Sequence, residues 1–150
     1  MKRYIFLILI ILQLLLIFSF SSENGKRSSG RSRKLVNTIV NVYKKVAGVD
    51  IDNKEIIKKI EYPIRKCAHF TLYFVLGVVV IEFFLTFDLN HPYIISIIFS
   101  YISACLDEVH QTFVPMRTGK ITDTFVDAIG FIISIFIIYL IGKKEKRHTN

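Results

Sequence analysis

Three groups of polar residues, at 65–70, 107–117 and 123–130, adjoin long apolar runs in this sequence. The side chains in them that could bind a ligand are Lys66, His69, Asp107, Glu108, Gln111, Arg117, Asp123 and Asp127. Carboxylate and imidazole groups transfer protons or bind a divalent cation, and a guanidinium can bind a phosphate through two parallel hydrogen bonds. Because ionisable groups at membrane depth are costly unless paired or hydrated, they are candidates for function.

The spacing within these groups puts polar side chains on shared helix faces. Asp107 and Glu108 precede Gln111 by four and three residues, which is the spacing of neighbours on one face of a helix. Asp123 and Asp127 are also four residues apart. We name His69, Asp107 and Glu108 as the catalytic candidates.

The residue types leave three interpretations open. The groups could bind a lipid headgroup or a peptide-like ligand, they could catalyse a reaction, or they could form a hydrogen-bond network in which His69 and Arg117 pair with acids. The sequence identifies no cofactor and leaves a metal undecided, because neither H-E-x-x-H nor C-x-x-C spacing occurs.

The elements that must position these groups are apolar helices. Hydrophobic residues make up 52% of the 150 residues and lie in long blocks. A membrane-spanning helix needs about 20 predominantly apolar residues. The blocks predict an all-α integral membrane bundle, one domain over 1–150 with four transmembrane helices at about 4–20, 66–87, 92–109 and 124–141.

The loop after the first helix predicts further structure. Apolar residues recur at helical spacing over 33–62 with lysines opposite them, which predicts amphipathic helices. These helices lie either in the headgroup plane or over the mouth of the bundle. The basic segment Gly25–Ser32 is predicted to be flexible, and Tyr62-Pro63 is predicted to begin the second transmembrane helix. Gly77, and Gly130 with Ser134, predict close helix packing.

Four spans place both termini on one side of the membrane and all three polar groups on the other. The first run resembles a signal peptide, but no good small-x-small cleavage site follows it, so we predict a retained helix. Most basic residues fall on the side of the polar groups, which the positive-inside rule would put in the cytoplasm.

The composition points to lipid as the partner. The net charge is +8, but the basic residues flank apolar runs, so we predict anionic lipid headgroups and no nucleic acid. Cys67 and Cys105 are too few for a disulfide framework; they either pair or remain free thiols.

These motifs together resemble the VanZ-like family of bacterial membrane proteins. The matching segments are the serine-rich stretch after the first run, Lys66-x-x-His69-Phe70-x-x-Tyr73-x-x-Leu76-Gly77, Asp107-Glu108-x-x-Gln111-x-Phe113-x-Pro115-x-Arg117, and Asp123-x-x-x-Asp127-x-x-Gly130. Met116 stands where the family has glycine, so we expect the turn to avoid a conformation that only glycine adopts.

The resemblance implies a multi-pass protein of the cell membrane. It also implies a role in the cell envelope and a lowered susceptibility to teicoplanin-type lipoglycopeptides, with a lipid-linked or glycopeptide ligand and the polar groups facing outward. That orientation conflicts with the one from the basic residues. The alternatives are an intramembrane enzyme or binder acting on a lipid-linked phosphate, and a structural assembly factor.

Overall fold

A computed structural model of the protein describes residues 1–48, 53–117 and 119–148, with side chains given for all of these except 53–58 and 145–148. The regular structure in this part of the chain is helical: α1 Lys2–Ser21, α2 Gly25–Ala47, α3 Asn53–Phe84, α4 Pro92–Thr112 and α5 Ile121–His148. The predicted all-α fold is therefore confirmed. Residues 49–52, inside the predicted amphipathic loop, lie outside the described residues.

Four stretches of the described helices are long and apolar enough to cross a membrane. They are Lys2–Ser21, Lys59–Phe84, Pro92–Thr112 and Ile121–Lys144. The first of them exposes large aliphatic side chains such as Ile8, Leu12 and Leu15. These side chains have no polar group to desolvate in hydrocarbon, and an α-helix satisfies its own backbone hydrogen bonds there. The predicted four-helix membrane bundle is confirmed.

Helix α3 begins well before the predicted start at Tyr62-Pro63, so that prediction is wrong. The helix starts at Asn53 and contains Pro63 in its interior. An interior proline removes one backbone hydrogen bond but does not always end a helix. Contacts from α2 support this segment, since Arg33 Nε donates to Glu61 Oε2 over 2.9 Å. With 32 residues, α3 is roughly 48 Å long and exceeds the hydrocarbon core.

Helix α2 includes the segment predicted to be flexible, so that prediction is also wrong. Asn24 caps the helix, since its side-chain oxygen accepts a hydrogen bond from Lys26 N over 3.0 Å. An N-cap asparagine satisfies a helix-terminal N–H that would otherwise lack a partner. The helix packs on α3 and buries Val36 and Val40, while Val42 stays exposed.

Helix α3 is the central element, because it contacts each of the other four helices. Its closest neighbour is α5. A Cβ atom added to Gly77 would lie 2.2 Å from Ser134 Oγ, and one added to Gly130 would lie 2.6 Å from the carbonyl oxygen of Phe70. The predicted small-residue packing is confirmed, and it holds the polar ends of α3 and α5 side by side.

Candidate functional site

The carboxylate of Asp107 joins α1 to α4 at the end of the bundle where the polar groups gather. Ser21 Oγ donates to Asp107 Oδ2 over 2.9 Å, and Gln111 Nε2 donates to the same oxygen over 2.9 Å. Gln111 Nε2 also lies 3.3 Å from Glu108 Oε1. Asp107, Glu108 and Gln111 are all buried, so this network orders the helices around one face of α4.

Arg117 binds several elements at once. Its guanidinium donates to the carbonyl oxygen of Phe20 over 2.7 Å, to Ser28 Oγ over 3.1 Å and to Gln111 Oε1 over 3.2 Å. Burial lowers the pKa of Arg117 from its usual value, although the nearby Asp107 carboxylate opposes this effect. An arginine remains protonated in proteins, so the site retains this positive charge.

Two pairs of side chains connect α3 to α5. Lys66 forms an ion pair with Asp123, and His69 Nδ1 lies 3.6 Å from Asp127 Oδ1. Asp127 is 0% exposed, and its oxygens accept no hydrogen bond from the described residues. Because Nδ1 of His69 is turned toward this carboxylate, Nε2 is the ring nitrogen left for a ligand.

A polar pocket of about 340 Å³ opens between α2, α3 and the α4–α5 turn. Basic side chains predominate in its lining, and the residues around it are Ser29, Tyr62, Arg65, Lys66, His69, Gln111, Met116, Arg117, Lys120 and Asp123. The acid in this lining, Asp123, is already paired with Lys66. The pocket is therefore suited to an anion, and a phosphate would satisfy several of these donors together.

A second cavity, the α2–α3 cleft, adjoins the polar pocket and has a volume of about 630 Å³. The two cavities share Arg65, His69 and Arg117. The apolar residues that line the cleft are Phe20, Leu35, Ile39, Ile64, Ala68 and Leu72. An apolar wall thus leads directly to the positively charged residues of the pocket.

The structure separates the predicted site residues into two sets. Lys66, His69, Gln111, Arg117 and Asp123 line the polar pocket. The buried carboxylates behind them, which do not line it, are those of Asp107, Glu108 and Asp127. Of the catalytic candidates, only His69 therefore reaches the pocket. Among the described residues, no three His, Cys, Asp or Glu side chains are grouped so that they could hold a metal ion.

Sequence reasoning did not select Arg65 and Lys120, although both line the pocket. Arg65 precedes His69 by four residues, and this spacing on one helix face could have identified it. Within the described part of the chain, Arg65 has no hydrogen bond or ion pair to another side chain. It interacts electrostatically with Glu61, but that carboxylate is bound by Arg33, so the Arg65 guanidinium keeps its donors for a ligand.

The serine-rich stretch has a role that sequence reasoning left unassigned. Ser22 Oγ lies 3.0 Å from His110 Nε2, and the His110 ring packs against Phe18 with centroids 4.4 Å apart. Together with the bonds of Ser21 and Ser28 described above, this contact joins the end of α1 and the start of α2 to α4 and to the turn that follows it. Cys67 and Cys105 are free thiols, which answers the question of their pairing.

The turn before Arg117 adopts a conformation that we expected it to avoid. Met116 has a φ of 60°, in the left-handed region that glycine favours. The same turn contacts α2, where Gly25 N donates to the carbonyl oxygen of Pro115 over 3.2 Å. The expectation is therefore wrong: the left-handed backbone persists with methionine in place of glycine and aims Arg117 back toward α1 and α2.

The fold and this site describe a multi-helix membrane protein with a polar, positively charged cavity at one end. The VanZ/LLP1 family model matches residues 6–142, and this chain belongs to that family. Searches of the curated proteins and of the solved structures found no match to this chain.

Proposed function

We propose that this VanZ-like membrane protein binds the phosphate group of a membrane lipid or lipid-linked precursor in its polar pocket. The observation that carries the proposal is the pocket lining, where Arg65, Lys120 and Arg117 contribute positive charge without a compensating free acid. Arg117 already holds the bundle together through its hydrogen bonds, whereas Arg65 and Lys120 have no side-chain hydrogen bond or ion pair in the described part of the chain. A charge-assisted contact with phosphate is stronger than a neutral hydrogen bond.

Native mass spectrometry of the purified protein tests this proposal. We expect wild type to retain phosphatidic acid in preference to phosphatidylcholine. Arg65→Gln should weaken retention about tenfold, since a hydrogen bond to a charged group contributes about 1.5–3 kcal/mol. Arg27→Gln removes an equal charge from an exposed position outside the pocket and should bind like wild type. Equal retention by Arg65→Gln and wild type would contradict the proposal.

Because the chain belongs to the VanZ/LLP1 family, we extend the binding proposal to a role in the cell envelope. We infer that engagement of a lipid-linked surface ligand lowers susceptibility to teicoplanin-type lipoglycopeptides. A susceptible Gram-positive host expressing wild type or Arg27→Gln should be protected, and Arg65→Gln at matched membrane abundance should not. Unchanged susceptibility with wild type, at confirmed membrane levels, would refute this role and leave the binding proposal to stand on its own test.

The pairing of His69 with Asp127 favours a second candidate, hydrolysis of a lipid phosphate. Water would attack phosphorus, the bond from phosphorus to the lipid oxygen would break, and protonated His69 would donate a proton to the leaving alcohol. Asp127 would stabilise the imidazolium, as a carboxylate behind a catalytic histidine does. Release of inorganic phosphate from phosphatidic acid by wild type, abolished in His69→Gln, would support hydrolysis. No release by wild type would reject it.

A further inference from the structure

The α2–α3 cleft and the polar pocket are adjacent cavities. Arg65, His69 and Arg117 line both of them, so a ligand that contacts these residues borders the two. The wall of the cleft includes the aliphatic side chains of Leu35 and Leu72 and the aromatic ring of Phe20. This juxtaposition has the chemistry of an amphiphile, with an anionic group at one end and hydrocarbon at the other.

We propose that the α2–α3 cleft holds the hydrocarbon chain of the same phosphate-bearing amphiphile. The inference rests on the proposed function, because the phosphate in the polar pocket fixes where the chain begins. It adds a chain-binding surface, formed by α2 and α3, to the headgroup site. The ligand class is then an anionic amphiphile whose chain leaves the membrane hydrocarbon to lie beneath α2.

The position of the cleft supports this occupant. Phe20 lies at the end of the first apolar span, Ala68 lies in the first half of the second span, and Leu72 lies at the middle of it. The cleft therefore extends from the polar end of the bundle toward the middle of a span, the direction in which a lipid chain runs from its headgroup. Its volume of about 630 Å³ is in the range of small-molecule sites, and most of the surface that its walls expose is apolar.

The absence of tryptophan from the sequence allows a direct test in vesicles. Leu35→Trp places a single fluorophore in the cleft, and Val42→Trp places one on the same face of α2 but outside it. The two positions are matched, because Leu35 is 51% and Val42 is 59% exposed. Quenching is measured with chain-brominated phosphatidic acid and with chain-brominated phosphatidylcholine at equal mole fractions.

We expect Leu35→Trp to be quenched saturably by the brominated phosphatidic acid and much less by the phosphatidylcholine. Val42→Trp should show equal, non-saturating quenching by the two lipids. In a double variant that also carries Arg65→Gln, saturating the quenching of Leu35→Trp should require about tenfold more phosphatidic acid, because a charge-assisted hydrogen bond is lost. Equal behaviour of the two tryptophans would overturn the chain site.

Failure of this inference is distinguishable from failure of the proposed function. If phosphatidic acid retention depends on Arg65 but Leu35→Trp reports no saturable contact, the phosphate site stands and the chain does not occupy the cleft. If retention is independent of Arg65, the proposed function fails, and the chain site fails with it. A tryptophan variant whose far-UV circular dichroism spectrum matches that of wild type is folded, which makes its quenching result decisive.

Discussion

The carboxylate of Glu108 on α4 accepts a hydrogen bond from the backbone N–H of Lys120 over 2.7 Å, immediately before α5 begins. The carboxylate thereby satisfies a donor near the helix terminus and places negative charge near the positive end of the α5 dipole. Lys120 is followed closely by Asp123, whose N–H donates to the Lys120 carbonyl oxygen over 2.7 Å. Glu108 therefore fixes the relative position of α4 and the pocket-lining start of α5.

We predict that Glu108→Ala lowers the free energy of unfolding by about 1–2 kcal/mol, the effect of losing a helix-capping acceptor. Glu108→Gln keeps an oxygen that accepts from Lys120 N and should lose less. Denaturant titration of the purified protein measures both. If Glu108→Gln reduces stability as much as Glu108→Ala, the negative charge rather than the hydrogen bond holds α5. If neither changes stability, the carboxylate has no structural role.

Gly25 should be intolerant of a side chain. A Cβ atom there would lie 2.0 Å from the carbonyl oxygen of Met116, so the start of α2 must move away from the turn. We expect Gly25→Ala to destabilise the protein by about 1–3 kcal/mol. Thermal unfolding followed by circular dichroism measures the change.

Gly30 on the same helix is the matched control for this prediction. A Cβ atom there would meet nothing within 4 Å, so Gly30→Ala should stabilise α2 by about 0.5–1 kcal/mol. Similar effects of Gly25→Ala and Gly30→Ala would show that close contact between α2 and the α4–α5 turn does not limit stability.

The left-handed backbone of Met116 predicts a difference between two substitutions. The side chain is 65% exposed, so its removal loses little packing. Met116→Gly relieves a strain of about 1–2 kcal/mol but adds chain entropy to the unfolded state, while Met116→Ala keeps the strain. We expect Met116→Gly to be the more stable of the two in denaturant titration. The reverse order would mean that this turn relaxes once the methionine is removed.

The sequence was sufficient for the transmembrane spans because hydropathy reports directly on burial in lipid. It was insufficient at Pro63 and at Gly25–Ser32, where local propensity opposes a helix and contacts between α2 and α3 override it. In the structure, hydrogen bonds and ion pairs connect members of the three polar groups to neighbouring helices. Which of their members face the pocket depends on helix rotation, and this is why Arg65 was not selected and buried Glu108 was.

A cysteine introduced at the exposed position of Arg27 can determine which side of the membrane carries the polar pocket. In a Cys67→Ser, Cys105→Ser background, an outward-facing site predicts that a membrane-impermeant maleimide labels the Arg27→Cys protein in intact cells. Mass spectrometry of the labelled peptide identifies the reacting cysteine. Labelling only after the cells are permeabilised would place the pocket in the cytoplasm, as the distribution of basic residues indicates.

The most direct test of the central claim is a phosphorus NMR titration of a short-chain phosphatidic acid with the purified protein. Wild type and Arg27→Gln should shift the phosphorus resonance saturably, and Arg65→Gln should require about tenfold more protein for the same shift. That result would place the phosphate at the basic lining of the polar pocket. An identical titration by wild type and Arg65→Gln would contradict anion binding at this site.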